Sequence, residues 1–294
     1  MLVCASLLVT TTIPCANAAR VNLTWIDRSR IEDAYHIDRE IAGGSGFETL
    51  IDLDANTESH SYEDPTQGGE LRFRVFASNE NGPSGFSNIA AVLPDQATDE
   101  DTPLELWLFT DELAGLEGPM TAGLRKDSES LISSVLVVPS DDYRSCQVFL
   151  TPMEHLSGQT SIEIDLVRDG VSLTKVFDLE VRSVNDPPII GTIASQETAE
   201  ETPLEVVLPI GDVDTDLPDL TVAAMADDSN LIESSIAAYS PERGWVLTIV
   251  PRENHYGETE ITVEVDDGEF KVISSLLVSV TNVNDSPIIE TVAP

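Results

Sequence analysis

A run of alternating carboxylates is the feature of this sequence best suited to chemistry. Asp212, Asp214 and Asp216 occupy every second position of a short segment. On an extended backbone, alternate side chains lie on the same side, so these three carboxylates would face one space. Ca²⁺ prefers about six to eight oxygen ligands from carboxylates, amides and backbone carbonyls. The segment therefore predicts a calcium site, and the alternative interpretation is a solvated acidic surface.

The chain as a whole is strongly acidic. Its 294 residues include 53 Asp and Glu against 15 Lys and Arg, a formal net charge of −38. This charge argues against nucleic acid and anionic membranes as partners, because both bind basic faces. Hydrophobic residues make up 41% of the chain, which is enough to build cores and too many for a disordered acidic tail. We expect other proteins or surface glycans as partners, and no membrane insertion.

Two long segments match each other at an interval of about 99 residues, which identifies them as copies of one domain. Three pairs of segments carry the match: 100–105 with 200–205, 152–158 with 251–257, and 184–190 with 283–289. The copies span 95–187 (the first repeat) and 188–286 (the second repeat), and 287–294 begins a further, truncated copy. We therefore expect a monomeric fragment of a longer array.

Apolar and polar residues alternate within both repeats. In the second repeat, Ile261, Val263 and Val265 alternate with Thr and Glu, and the first repeat has the same pattern. Period-two alternation is typical of half-buried antiparallel strands. Asp169-Gly170 and Asp267-Gly268 indicate hairpin turns, because glycine accepts the positive φ that such turns need. Short strands separated by frequent turns predict immunoglobulin-like β-sandwiches.

Residues 1–94 show a different pattern with the same period. Val21, Leu23 and Trp25 alternate with polar residues, and a second alternating strand follows about fifty residues later, with Leu71, Phe73, Val75 and Ala77 facing inward. Together with 32–39 and 73–84, these segments resemble a fibronectin type III module. The fold prediction is therefore all-β, with three immunoglobulin-like β-sandwich domains in series.

The repeats carry four short motifs: an opening Glu-Asp/Glu-Thr-Pro-Leu, a Pro-x5-Gly turn, a strand leading to Asp-Gly, and a closing Val-Asn-Asp-x-Pro. In this combination they resemble the cadherin-like tandem domains of large bacterial surface and secreted proteins. The resemblance implies an adhesive or scaffold role, with calcium stiffening the junction between the two repeats. The metal ligands that it implies are Asn185, Asp186, Glu201, Asp212 and Asp214.

The first repeat departs from this pattern. Where the second repeat has Gly-Asp-Val-Asp-Thr-Asp, the first has only Thr110-Asp111-Glu112-Leu113. A calcium site at the junction between residues 94 and 95 is therefore in doubt.

Two interpretations of the N-terminus stay open. Residues 1–18 have an apolar stretch and a small-residue site before residue 19, as a secretory signal does, but they lack a basic beginning. Alternatively, Ala5–Thr12 forms the first strand of the first sandwich, which is the interpretation we favour. The three cysteines, Cys4, Cys15 and Cys146, have no metal-ligand spacing and define no disulfide framework.

Catalysis finds little support in the sequence. His155 and His255 lie in the corresponding Pro-x5-Gly turns, where polar residues suit irregular backbone, and Ser145-Cys146 lacks a nearby histidine and the pattern of a nucleophile elbow. Phe76, Phe86 and Tyr62 could present aromatic rings to a glycan or peptide, although core or sandwich-edge packing is the interpretation we favour. We predict a non-enzymatic extracellular or cell-surface structural and adhesive array. The alternative is the accessory region of a larger secreted enzyme, a glycosidase or peptidase.

Overall fold

The computed structural model describes residues 5–12, 19–27, 31–64, 68–125 and 131–285, and over these ranges the protein is built from β-strands with short 3-10 turns. The predicted all-β class is confirmed, and three immunoglobulin-like sandwiches follow one another along the chain. The chain divides into two compact units, Met1–Val184 and Asn185–Pro294. The first unit thus contains both the first sandwich and the first repeat, which the sequence separates at residue 94.

The first sandwich has two sheets with the strand orders β1-β2-β5 and β4-β3-β6-β7, and β8 also pairs with β6. Its strands are β1 (Ala5–Thr12), β2 (Ala19–Ile26), β3 (Ala34–Ile41), β4 (Glu48–Asp54), β5 (Ser59–Asp64), β6 (Leu71–Asn79), β7 (Gly82–Pro83) and β8 (Ala90–Val92). Ala5–Thr12 is a strand, as one of the two interpretations of the N-terminus predicts.

The core of this sandwich consists of the alternating residues that the sequence assigned to it. Val21, Leu23 and Trp25 on β2 are buried, and so are the inward-facing residues of β6. Tyr35 and Ile37 on β3, the strand that pairs with β6, are also buried. Because successive side chains of a strand point to opposite faces, one hydrophobic row from each strand is enough to fill the space between the sheets.

The first repeat has sheets with the orders β10-β13-β12 and β11-β14-β15-β9, in which β9 runs parallel to β15. Its strands are β9 (Gln96–Asp99), β10 (Leu104–Phe109), β11 (Thr121–Leu124), β12 (Ile132–Pro139), β13 (Ser145–Pro152), β14 (Gly158–Arg168) and β15 (Val171–Arg182). A 3-10 turn, Asp111–Leu113, follows β10 and buries Leu113.

The second repeat, which belongs to the second unit, has the matching sheets β18-β22-β21 and β17-β24-β23-β20, with the added pair β16-β19. Its strands are β16 (Ile189–Ile190), β17 (Gln196–Ala199), β18 (Leu204–Val207), β19 (Ile210–Gly211), β20 (Thr221–Ala226), β21 (Ile232–Ser240), β22 (Gly244–Pro251), β23 (Gly257–Asp266) and β24 (Lys271–Thr281). The predicted further copy at 287–294 lies outside the described residues.

The two Asp-Gly hairpins have different lengths. In the first repeat, Arg168 pairs with Val171, and Asp169 and Gly170 have φ values of 49° and 75°, as a tight two-residue turn requires. In the second repeat, Asp266 pairs with Lys271, so four residues form the turn. This longer turn places the Asp267 carboxylate against the backbone of its own loop.

Candidate metal centre

Four of the five predicted metal ligands lie at one corner of the second unit. Asn185 and Asp186 precede β16, and Asp212 and Asp214 follow β19. The structure adds Asp267, which begins the turn between β23 and β24. We call these five residues the Asp212 corner.

Two hydrogen bonds join the segments of the Asp212 corner. The Asp186 backbone N–H donates to Asp214 Oδ2 at 2.7 Å, and the Asn185 side-chain Nδ2 donates to Asp267 Oδ2 at 2.9 Å. The three loops that carry these residues therefore meet, although they are separated by more than 20 residues in sequence. Of the five residues, Asp214 is exposed and the other four are half-buried.

Asp212 organises its own loop and leaves one oxygen without a partner. Its Oδ1 accepts the backbone N–H groups of Asp214 at 2.9 Å and Thr215 at 2.8 Å. Its Oδ2 is buried and has no hydrogen-bond partner among the described residues. A buried carboxylate oxygen without a donor is costly, so a bound cation is one way to satisfy it.

Asp267 is held as a carboxylate by its own turn. Its Oδ1 accepts the backbone N–H groups of Phe270 at 2.6 Å and Glu269 at 2.7 Å. These bonds, the Phe270 bond first, hold the pKa of Asp267 below its ordinary value. The only basic residue of this hairpin, Lys271, pairs with Glu264 at 2.7 Å and Asp266 at 2.8 Å. No described basic side chain pairs with Asp212, Asp214 or Asp267.

Glu201, the fifth predicted ligand, does not join this corner. It follows β17, whose last residue pairs with Thr281 at the end of β24, whereas Asp267 precedes the beginning of β24. A strand rises about 3.3 Å per residue, so the length of β24 separates the two positions by roughly 30 Å. The sequence resemblance grouped Glu201 with Asp186 because it gave no indication of which end of the sandwich each loop occupies.

Glu201 belongs instead to a second acidic group, formed with Glu200, Glu253 and Asp285, which we call the Glu201 corner. Repulsion from Asp285, followed by burial and by repulsion from Glu253 and Glu200, raises the pKa of Glu201. Glu200 is only 3% exposed. Its Oε1 accepts the Val283 backbone N–H at 2.6 Å, and its Oε2 is buried without a partner among the described residues.

The first acid of the opening motif has a structural role in both repeats. Glu100 is buried, and its Oε1 accepts the Val184 backbone N–H at 2.8 Å, as Glu200 accepts that of Val283. Each glutamate therefore ties the start of its repeat to the segment that follows the last strand. The sequence motif alone does not separate this buried acid from the exposed one that follows it.

The first repeat has an arginine where the second repeat has Asp267. Each residue lies ten positions after the glycine that begins its strand, β14 or β23. Arg168 is 7% exposed, and it donates from Nη1 to the Leu113 carbonyl and from Nε to the Gly118 carbonyl, both at 3.0 Å. Its guanidinium lies 3.3 Å from the centre of the Tyr143 ring. The loop corresponding to 212–218 is thus held by a cation that belongs to the protein.

One acid of the first repeat's loop is otherwise engaged. Asp111 Oδ2 pairs with Arg72 of the first sandwich at 2.6 Å. Glu112 stands at the position of Asp212, but Leu113 and Ala114 stand at the positions of Val213 and Asp214, so the alternation of carboxylates is lost.

The residues considered for catalysis or ligand binding have other surroundings. Burial raises the pKa of the Cys146 thiol to about 12, so the thiolate that acts as a nucleophile is rare at neutral pH. Phe86 is half exposed, but the Arg74 guanidinium covers one face at 3.6 Å from the ring centre. Phe76 packs edge-on against Phe86, and Tyr62 packs edge-on against Phe73.

None of the helical segments in the described ranges is long and apolar enough to cross a membrane.

No protein-family model and no curated protein matches this sequence. Three solved structures are similar to it: a three-domain I-band fragment of titin (13% identity, 96% of this chain and 97% of that chain, TM-score 0.33), a fibronectin type III domain of human collagen XX (17%, 32% and 91%, 0.26), and an endo-fucoidan hydrolase of glycoside hydrolase family 107 (11%, 96% and 39%, 0.29). The chain spans about two fifths of the length of that hydrolase.

These neighbours include fibronectin type III and immunoglobulin-like domains, the class of fold described above. All three TM-scores are low, and we base no argument about function on them. The finer resemblance of the repeats to cadherin-like domains is not confirmed.

Proposed function

We propose that this chain is a non-catalytic extracellular structural and adhesive array whose second repeat binds Ca²⁺ at the Asp212 corner. The observation that supports calcium binding is the difference between equivalent corners of the two repeats. In the first, Arg168 supplies a buried positive charge to the loop. In the second, the same region presents Asp212, Asp214 and Asp267, and no described basic side chain pairs with these three residues.

The donor set at the Asp212 corner suits a hard cation. Its four carboxylates and the Asn185 amide oxygen are the kinds of oxygen ligand that Ca²⁺ prefers, and the three loops would close around the ion to complete its coordination. The unpaired Oδ2 of Asp212 is the ligand with the most to gain, because it is already removed from water. The Glu201 corner is a second candidate position, supported by the unpaired Glu200 Oε2 and the mutual repulsion around Glu201.

An ion bound only by the folded state stabilises it, by about 2.7 kcal/mol when free calcium is a hundred times the dissociation constant. Calorimetric titration of the chelator-treated full chain with CaCl₂ should therefore give heat, and the melting temperature of the second unit should rise. Asp212→Asn with Asp214→Asn should remove most of both responses. Asparagine at residue 212 keeps an oxygen acceptor for the loop, so the variant should still fold.

The matched control is Asp219→Asn with Asp227→Asn, which removes the same two charges from exposed positions of the same unit. This control should keep the full calcium response. Absence of heat and of any thermal shift at millimolar calcium in the unmodified chain would refute the calcium proposal. Our expectation that the ion stiffens the junction between the repeats stays a prediction.

A further inference from the structure

The first sandwich contacts the first repeat through a short glycine-rich loop. The Glu70 backbone N–H donates to the Trp107 carbonyl at 2.8 Å, and the Trp107 N–H donates to the Gly68 carbonyl at 2.9 Å. Gly69 thereby forms a parallel β-bridge with Trp107. Trp107 lies on β10, the edge strand of its sheet, so the loop adds a short strand to an otherwise open edge.

The Glu70 side chain reinforces this pairing. Its Oε2 accepts the Phe109 backbone N–H at 3.0 Å and the Lys175 Nζ at 2.6 Å. The Glu70 and Lys175 side chains are only 9% and 12% exposed, so water weakens this ion pair less than it weakens surface pairs. Beside it, Arg72 pairs with Asp111 at 2.6 Å and lies 3.7 Å from the centre of the Phe109 ring.

Two glycines make room for the contact. A Cβ atom on Gly43 would lie 2.6 Å from the Trp107 ring, and one on Gly69 would lie 2.4 Å from the Trp107 carbonyl oxygen. Both distances are too short for real atoms. The sandwich can therefore approach the edge strand this closely only because these positions lack side chains.

The second repeat lacks the groups that would accept the same loop. Pro209 stands at the position of Phe109 and has no backbone N–H to donate. Ser274 stands at the position of Lys175, and Val207 replaces Trp107. In the second repeat this edge is covered from within, because Gly191 N–H donates to the Pro209 carbonyl at 2.7 Å and β16 pairs with β19.

We propose that residues 68–70 form a metal-independent latch that fixes the first sandwich to the first repeat, so that the two sandwiches move as one body. The latch consists of backbone pairing and a buried ion pair, and no group in it requires a bound cation. Its partner groups occur in the first repeat and not in the second, so only the first repeat can accept the latch.

Amide hydrogen exchange of the full chain tests the latch directly. The N–H groups of Trp107 and Phe109 face away from β13 and donate to Gly68 and Glu70, so they stay protected only while the latch is closed. In the unmodified chain they should exchange slowly both with calcium and with EDTA. Gly69→Ala should speed their exchange at least tenfold, because its methyl group cannot fit beside the Trp107 carbonyl.

Gly82→Ala is the matched control, because Gly82 also has a positive φ, of 112°, in the same sandwich but has open space around it. It should leave the two amides protected. Lys175→Met, which keeps the chain length and removes the charge, should speed exchange at Phe109. Protection of Val148 and Leu150 in β13 reports that the first repeat remains folded in each variant.

Three results would overturn the proposal. One is equal exchange of the two amides in Gly69→Ala and Gly82→Ala. Another is unchanged exchange at Phe109 in Lys175→Met. The third is that EDTA alone speeds exchange of the two amides in the unmodified chain as much as Gly69→Ala does. Because none of these measurements involves the Asp212 corner, failure of the calcium proposal leaves the latch intact, and the reverse also holds.

Discussion

The two repeats share the strand order of their two main sheets, and one corner at which they differ is instructive. There the first repeat buries an arginine against loop carbonyls, whereas the second has aspartates on neighbouring loops, and one of their carboxylate oxygens is buried without a hydrogen-bond partner. A buried guanidinium carries its own donors and needs nothing from solution, while a cluster of carboxylates gains most when a cation arrives. The comparison leads us to expect that one fold holds the same loop with an internal cation in the first repeat and with an acquired cation in the second.

The largest expected effect is in the first repeat. Arg168→Met should lower the free energy of unfolding of the first unit by about 3 kcal/mol, because it leaves the Leu113 and Gly118 carbonyls without donors. Calcium should not restore the loss, because this corner lacks the aspartates of the second repeat. Urea denaturation with and without calcium measures both points.

Arg125→Met is the control for that experiment. Arg125 pairs with Glu163 and Asp165 on the exposed surface, so its loss should lower the free energy of unfolding much less than the loss of Arg168. Equal costs for the two variants would contradict the role assigned to Arg168. Rescue of Arg168→Met by calcium would contradict the distinction between the two corners.

A smaller effect of opposite sign is expected at the Glu201 corner. Because repulsion raises the folded-state pKa of Glu201, ionisation of this group disfavours folding. Glu201→Gln should therefore raise the melting temperature of the second unit in EDTA. The gain should be absent below the unfolded-state pKa and grow as pH rises through the folded-state pKa.

If this corner binds calcium, adding the ion should raise the melting temperature of Glu201→Gln less than that of the unmodified chain. Glu197 is an exposed neighbour on β17, and Glu197→Gln removes an equal charge. This variant should change neither the melting temperature in EDTA nor its rise on adding calcium. Thermal melts between pH 4 and 8, with and without calcium, separate the outcomes. A loss of stability in EDTA would show that repulsion does not dominate this corner.

The last prediction is that calcium does not change the labelling rate of the Cys146 thiol. In a Cys4→Ser, Cys15→Ser background, the remaining Cys146 thiol should react slowly with a disulfide reagent at pH 8, because burial raises its pKa to about 12. Its labelling rate reports the opening of the first repeat and should be the same with calcium and with EDTA. A calcium-dependent rate would mean that the first repeat also responds to the ion.

Local pattern was enough to predict the strands and the core. Ile261, Val263 and Val265 are fully buried, as their alternation with polar residues predicts, and so are Ile162, Ile164 and Leu166 in the first repeat. The side chains of a strand alternate with a period fixed by covalent geometry, and a hydrophobic face must be covered by another layer. Sequence spacing alone therefore predicts the strands and the core.

The candidate site was predicted only in part. Asp212 and Asp214 share a loop, so their proximity could be read from their spacing, but the resemblance to cadherin-like domains placed Glu201 beside them. Asp267 and Arg168 were missed, because Asp267 contacts Asn185, 82 residues earlier in the chain, and Arg168 contacts Leu113, 55 residues earlier. Only the register of the strands tells which loops meet at which end of a sandwich.

What the sequence determined by itself is the all-β class, the repeated domain and the concentration of carboxylates in its loops, all of which follow from the order and type of neighbouring residues. The tertiary structure decided which of those carboxylates meet, which repeat carries its own cation, and that Glu70 reaches Lys175 across 105 positions. The physical reason is that contacts between distant loops depend on strand length and register summed over a whole sheet. No local pattern in the chain encodes that sum.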